Sequence, residues 1–244
     1  MITVDNVSKA FGDIQAVDGA SFTAEDGQIT GILGPNGAGK TTCLRMIYGL
    51  LKPDTGSVRI GGIDSNLSPM EAKRLIGVFP DRLGTWERLT TREVIDYFAS
   101  LHGMQRDQRE QAIEAITRQL ELEEIIDRRT KGFSQGQRMK VGLAACLVHQ
   151  PKHILLDEPS RGLDVMASRI LRNYLQAQRD SGRCVVFSSH VMQEVATLCD
   201  KVVIIAQGKV VAAGTTDALC EQAGESNLED AFVKIIGTTE GIAA

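Results

Sequence analysis

Residues 34–42 read GPNGAGKTT, directly after the apolar run ITGIL at 29–33 and directly before a helical pattern. The spacing Gly-x-x-x-x-Gly-Lys-Thr between a buried strand and a helix describes a backbone cradle for phosphate. Gly34, Gly37 and Gly39 let successive N–H groups curl inward, with Pro35, Asn36 and Ala38 between them and Thr42 beyond. The N-terminus of the following helix adds partial positive charge. Lys40 neutralises the outer phosphates, and Thr41 supplies a hydroxyl to Mg²⁺.

The strand before this loop has companions. HILL (153–156), CVVF (184–187) and KVVII (201–205) are short β-rich runs separated by helical patterns, which predicts a largely parallel sheet covered on both faces. SVRI (57–60), after the turn KPDTG, and the ends of QGKVVAAG predict antiparallel hairpin strands. Ser68, Pro69 and Glu71 form an N-cap, a first-position proline and the reciprocal acid of a capping box. Thr90 and Glu93 repeat the device ahead of Val94, Phe98 and Leu101 on one face, and Ile113, Ile116 and Leu120 form another stripe. No convincing strand falls between about 80 and 150. The expectation is an α/β nucleotide-binding core over 1–79 and 151–220 that includes an antiparallel β part, an inserted helical subdomain at 80–150, and a C-terminal helix and tail at 221–244. In that last segment Leu228, Phe232 and Ile235 are expected to dock on the chain's own core.

Composition narrows the function classes. With 43% apolar and 24% charged residues in 244, the chain buries a substantial core. Lys plus Arg number 27 against 31 Asp plus Glu, so the net charge of -4 provides no global field to gather nucleic acid, and none is expected as a partner. Arg128, Arg129, Lys131, Arg138 and Lys140 form a local basic segment that reads either as an attractor of phosphate or as a solvated helix edge. Five cysteines without a C-x-x-C pair argue against a disulfide framework or a zinc site. The first residues do not read as a secretion signal, and no apolar run approaches the ~18 to 20 residues that cross a bilayer.

Two further strand ends carry chemistry. Asp157 and Glu158 follow the run at 153–156; two adjacent carboxylates after a buried strand each need solvation or a cation. Asp157 is assigned to Mg²⁺, and Glu158 to orienting and deprotonating an attacking water. Ser188, Ser189 and His190 follow the run at 184–187, on the rim where open α/β sheets bind ligands, and His190 is assigned to the terminal phosphate. Ser134 and Gln137 form a capping box that reads either as an ordinary helix start or, beside Gly136, whose missing side chain leaves the approach open, as a second anion-binding turn. This turn follows a long helical insertion, so a second copy of the chain could supply the phosphate it meets.

Together these residues resemble the ATP-binding subunits of ABC transporters, over nearly the whole length. The resemblance implies a P-loop NTPase fold of the ABC type, with ATP and Mg²⁺ as cofactors. It also implies a head-to-tail dimer, of two copies or of a paralogue pair, driving a separate multi-span membrane subunit from the cytoplasmic face. The signature turn reads FSQGQ, keeping Ser134 and Gly136 and departing from the usual pattern at Phe133 and Gln135; Ser134, Gln135, Gly136 and Gln137 are carried over as its contacts to the opposite nucleotide. Asp164 in SRGLD resembles the acid of the loop linking the two sites. Phe11 resembles the aromatic that stacks on adenine, or else is a core side chain. Asp81 stands where a glutamine is usual and is a candidate for Mg²⁺ or for a relay to a membrane partner. The segment around Asp81 to Phe98 is expected to face that partner, with Trp86 as its anchor or as packing. VFPDRLGTWERLTTREVIDYFASLHGM together with FSQGQRMKV resembles the sodium-efflux, NatA-like branch. The rival reading is a soluble ABC-type ATPase in a cytosolic assembly such as iron-sulfur cluster biogenesis.

Overall fold

The computed structural model describes residues 1–81, 84 and 86–240. The chain begins with two long antiparallel strands, β1 (Ile2–Phe11) and β2 (Ile14–Ala24), joined by a tight turn with Gly12 at φ 58°. Sequence periodicity does not announce this pair. The register shifts between Val4 and Val7 and twice more before Ala10, so the apolar alternation is broken although Ile2, Val4, Val7, Val17 and Ala20 are buried.

β3 (Ile29–Leu33), α1 (Lys40–Ile47), β4 (Thr55–Ile60), β5 (Ile63–Asp64), α2 (Pro69–Arg74) and β6 (Ile76–Phe79) come next. The middle of the chain holds α3 (Thr91–Leu101), α4 (Arg106–Gln119) and α5 (Gln135–Leu147). Then come β7 (His153–Asp157), α6 (Val165–Asp180), β8 (Cys184–Ser189), α7 (Met192–Leu198), β9 (Lys201–Ala206), β10 (Lys209–Gly214), α8 (Thr216–Ala223) and α9 (Leu228–Glu240).

Six strands form one sheet in the order β10-β9-β3-β8-β7-β6, parallel except at the β9–β10 hairpin. Gln207 and Gly208 both take positive φ in that hairpin's turn, the backbone a two-residue connection requires. The other sheet, β2-β1-β4-β5, is antiparallel throughout. The apolar runs read from the sequence coincide with β3 and lie within β7, β8, β9 and β4. Alternate residues of the parallel strands serve two cores. Leu33, Leu156, Phe187 and Ile204 face the helical side, whereas Ile32, Leu155, Val186 and Val203 pack with α1 against the antiparallel sheet. Burial on both faces is why these strands read as continuous apolar runs.

Among the helices, Thr90 caps α3 with both halves of the box formed: Glu93 N donates to Thr90 Oγ1 at 3.2 Å and Thr90 N to Glu93 Oε2 at 2.7 Å. The box expected at Ser68 and Glu71 does not form, although Pro69 does sit at the first position of α2. Asp64 organises that approach instead, accepting from Asn66 N at 2.8 Å and Leu67 N at 3.3 Å. Leu101, expected on the packed face of α3, is instead 63% exposed, and the buried stripe is Val94, Ile95 and Ala99. Trp86 packs on the core, edge-on to Phe98 at 5.5 Å between ring centroids. Ile113, Ile116 and Leu120 are buried as their spacing predicts. α9 lies on α7, α8, β9 and β10 through Leu228, Phe232 and Ile236, with Ile235 partly buried. All five cysteines are free. No helix among the described residues is long and apolar enough to cross a membrane.

A histidine stack ties the helical segment to the sheet. His102, at the end of α3, lies flat on His149, just after α5, with centroids 3.5 Å apart and planes 8° apart. His149 Nε2 is 3.1 Å from the Ile76 carbonyl oxygen at the start of β6. Burial, and secondarily the neighbouring His102, push the His149 pKa down to about 4. An unfolded histidine titrates near ~6.5, so the stability His149 contributes is complete above that value and is lost as pH falls toward its folded pKa. Denaturant midpoints measured across this window are expected to drop for the wild type and to drop less for His149→Gln.

Candidate functional site

Register brings the sequence-predicted residues to one rim. Leu33 pairs with Ser189, and Ser188 with Asp157, so the chain leaves β3, β8 and β7 at the same level. β6 ends beside them, with Phe79 against Leu156 and Asp81 two residues on. The phosphate loop, the carboxylate pair, His190 and Asp81 therefore gather at the carboxyl end of the sheet, where α/β folds bind ligands.

The loop's glycines are required by contact as well as by conformation. A side chain on Gly34 would meet the Ile205 carbonyl oxygen at 2.2 Å, and one on Gly39, at φ 103°, would meet that of Ala16 at 2.4 Å. The loop is thus wedged between β9 and β2. Ala38 is buried here, while Pro35, Asn36 and Gly37 are exposed at its crest. Gly39 caps α1, and Cys43 N donates to its carbonyl at 2.8 Å. Thr42 is half-buried in the first turn of α1. Lys40 is only 6% exposed, and its Nζ donates to the carbonyls of Gly34 at 2.7 Å and Pro35 at 3.2 Å. The same ammonium lies 3.6 Å from Glu158 Oε1, so a buried charge has both hydrogen bonds and a counter-ion.

Asp157 is 2% exposed. Its Oδ1 accepts from Ser188 Oγ at 2.6 Å and from Thr41 Oγ1 at 3.2 Å, while Oδ2 is buried with no hydrogen-bond partner among the described residues. Burial raises its pKa, against the lowering effect of these two hydroxyl bonds. A buried carboxylate oxygen without a partner, beside a threonine hydroxyl, is a donor set that suits a small hard cation such as Mg²⁺. Among the described residues no group of three or more His, Cys, Asp or Glu gathers to hold a metal.

Glu158 sits at φ 51°, a left-handed backbone that is strained for a residue with a side chain. Its N–H donates to Ser188 Oγ at 3.0 Å, and its Oε2 is 2.6 Å from His190 Nδ1. Lys40, Glu158 and His190 thus form one polar line across the mouth of the loop. Ser188 holds both carboxylate residues in place, a part the sequence reading did not assign. The only sequence signal was a hydroxyl at the end of a buried strand.

None of these hydrogen bonds involves the signature turn. Ser134 caps α5 with both halves of the box formed, Gln137 N donating to Ser134 Oγ at 3.2 Å and Ser134 N to Gln137 Oε1 at 3.0 Å, and its side chain is exposed. Gly136 has a packing reason to lack a side chain, because a Cβ there would stand 3.0 Å from that of Ala167. Gln135 Nε2 donates to the Arg161 carbonyl at 2.5 Å, and Gly162, at φ 70°, leaves room for it. Asp164 caps α6 through Ala167 N at 2.8 Å. A cavity of about 390 Å³ lies between Asp81, Trp86, Phe133, Gln135, Glu158 and Arg161. Asp81 is paired with Arg45 at 3.5 Å. Phe11 is 49% exposed, which removes the core reading, and Lys9 Nζ stands 5.9 Å from its ring centroid. The basic segment is partly engaged within the chain: Arg138 bonds the Phe133 carbonyl, Lys140 bonds that of Glu121, and Arg128 lies over the Phe133 ring.

Comparison with known proteins accords with this geometry. A family profile described as ABC transporter matches residues 17–161. The ABC transporter ATP-binding protein NatA of Bacillus subtilis (strain 168) is 40% identical, covering 96% of this chain and 97% of the relative. The chain belongs to the ABC transporter ATP-binding family. The linearmycin resistance ATP-binding protein LnrL of the same organism is 32% identical, over 92% of this chain and 72% of that relative. A solved ATP-binding subunit of an ABC transporter superimposes with a TM-score of 0.89 at 26% identity, covering 97% of this chain and 99% of that one. A dimeric bacterial ABC transporter cassette gives 0.80 at 25% identity, over 88% of this chain and 98% of that one. This ABC ATPase has the P-loop NTPase fold and stands with the NatA-like branch.

As an N-cap, Ser134 is expected to contribute modestly to stability. Ser134→Ala should lose about 0.5 to 2 kcal/mol in chemical denaturation and remain folded.

Proposed function

We propose that this ABC ATPase binds Mg-ATP at the sheet rim and pairs head to tail with a second cassette around two nucleotides. Closure and hydrolysis then drive a separate membrane-spanning subunit, with the protein held peripherally at the cytoplasmic face. The observation that carries this reading is the polar line Lys40–Glu158–His190 across the phosphate loop, beside a buried Asp157 with an unpartnered oxygen. The working dimer is assigned as two copies or a paralogue pair. Residues 1–79 and 151–220 act as the nucleotide core, 80–150 as the helical insertion and 221–244 as the C-terminal helix and tail.

In this reading the backbone of Gly34 to Gly39 and the ammonium of Lys40 hold the phosphates, and Thr41, Asp157 and Asp81 would hold Mg²⁺. When bound, the ion supplies charge neutralisation on the phosphate oxygens. Glu158 orients the attacking water and takes its proton on a carboxylate oxygen. His190, bonded to Glu158 Oε2, fixes that oxygen's direction and reaches the terminal phosphate. Phe11 stacks on adenine, its exposed ring supporting that role. Ser134, Gln135, Gly136 and Gln137 contact the nucleotide of the opposite cassette, and Asp164 lies on the loop between sites. ATP favours the closed pair because both halves contact the phosphates, and hydrolysis removes that preference. The membrane subunit docks near Asp81 to Phe98. Sodium is the proposed exported ion, on the resemblance to the NatA-like branch.

Glu158→Gln is expected to retain nucleotide binding while turnover falls roughly 10² to 10⁴-fold; unchanged turnover would remove Glu158 from its role. In ATP, Ser134→Ala should fold yet fail to dimerise by light scattering, whereas normal dimerisation would leave the turn only a cap. Vesicles carrying the co-expressed membrane subunit should show ATP-dependent sodium flux. Absence of the protein from membrane fractions would favour the soluble ATPase instead.

A further inference from the structure

One side chain outside this machinery touches the loops of both Glu158 and His190. Ser160, two residues after Glu158, donates from Oγ to Glu194 Oε2 at 2.5 Å. Ser189, which precedes His190, donates to the same oxygen at 3.2 Å. Ser189 Oγ in turn accepts from Val191 N at 3.0 Å, closing the turn that carries His190. Glu194 lies half-buried in the first turn of α7, in a small cleft whose walls are part apolar, from Leu171, Leu175 and Leu198, and part polar, from Ser168 and Arg172. Two hydroxyls bonded to one carboxylate oxygen form a hub that links the two loops.

The strained backbone of Glu158 explains what such a hub does. A residue in the left-handed region persists only where its neighbours over-determine it. Ser188 fixes the near side through the Glu158 N–H, at 3.0 Å. Glu194 fixes the far side through Ser160. It also ties that side to the turn of His190, so one oxygen sets the distance across which Glu158 meets His190 at 2.6 Å.

We infer that Glu194 is a positioning residue for hydrolysis, its single carboxylate oxygen holding the loop after Glu158 and the turn of His190 at a fixed separation. This rests on the assignment of Glu158 and His190 to the chemical step. Among the described residues the hydroxyls that Glu194 binds are those of Ser160 and Ser189, not groups of the phosphate loop, so it acts on turnover and not on ATP affinity.

Steady-state ATP hydrolysis by the full chain tests it. Glu194→Ala and Ser160→Ala should each lower kcat about 10 to 10²-fold, the effect of misplacing a reacting group by about an ångström, with KM for ATP within about twofold. The double variant should be no slower than the slower single one, because both remove the same link. Glu194→Gln should recover kcat to within about threefold of wild type, since its amide oxygen can accept both hydroxyls. Wild-type kcat in Glu194→Ala or Ser160→Ala would overturn the inference. So would a tenfold rise in KM, multiplied losses in the double variant, or no recovery in Glu194→Gln. Ser160→Ala removes only one hydroxyl, so it keeps the test available should Glu194→Ala not fold. Glu158→Gln is the control: if its turnover falls while Glu194→Ala matches wild type, only this inference fails, whereas unchanged Glu158→Gln turnover removes the underlying assignment as well.

Discussion

The parallel register of β3, β8 and β7 is the constraint from which the site follows. Because Leu33 lies beside Ser189 and Ser188 beside Asp157, the glycine loop, His190 and the carboxylate pair emerge within hydrogen-bonding reach of one another. A slip of one residue would turn every apolar side chain of a strand to the opposite core, so the two-sided burial of the sheet also enforces the alignment of its polar ends. The contacts of Asp157 with Ser188 and Thr41 are a product of that alignment, not of any loop's own preference.

Charge and strain at the rim are arranged together. Lys40 is buried against two carbonyls and a carboxylate, and that carboxylate belongs to a residue whose backbone is held in an unfavourable region. Neither condition would survive alone: an isolated buried ammonium is costly, and an unsupported left-handed glutamate would relax. Each is sustained by side chains from neighbouring strand ends, so the geometry belongs to the sheet rather than to the motif.

Much of this was legible from local pattern. The β-branched runs marking β3, β7, β8 and β9 are continuous because both faces are buried, and the residues that follow them are one or two positions away along the chain. What escaped the sequence depends on distant partners. The first hairpin is hidden by shifts in register that break its alternation. Ser188 and Glu194 matter through contacts with residues 31 and 34 positions away, for which no spacing rule exists. The Ser68 box does not form because the N–H that Glu71 would accept from already donates to the Asp64 backbone carbonyl at 2.9 Å, and Leu101 lies beyond the stripe by which α3 packs. Gly136, read as leaving room for an anion, is also demanded by the approach of α6.

The bond from Gln135 to the Arg161 carbonyl joins the signature turn to the loop that begins at Glu158. In an antiparallel pair of such subunits, these two ends of the bond would serve different ATP molecules. In the proposed pair, a shift of either end would pull on the other through that single exposed amide, a tether between two half-sites carried by one side chain.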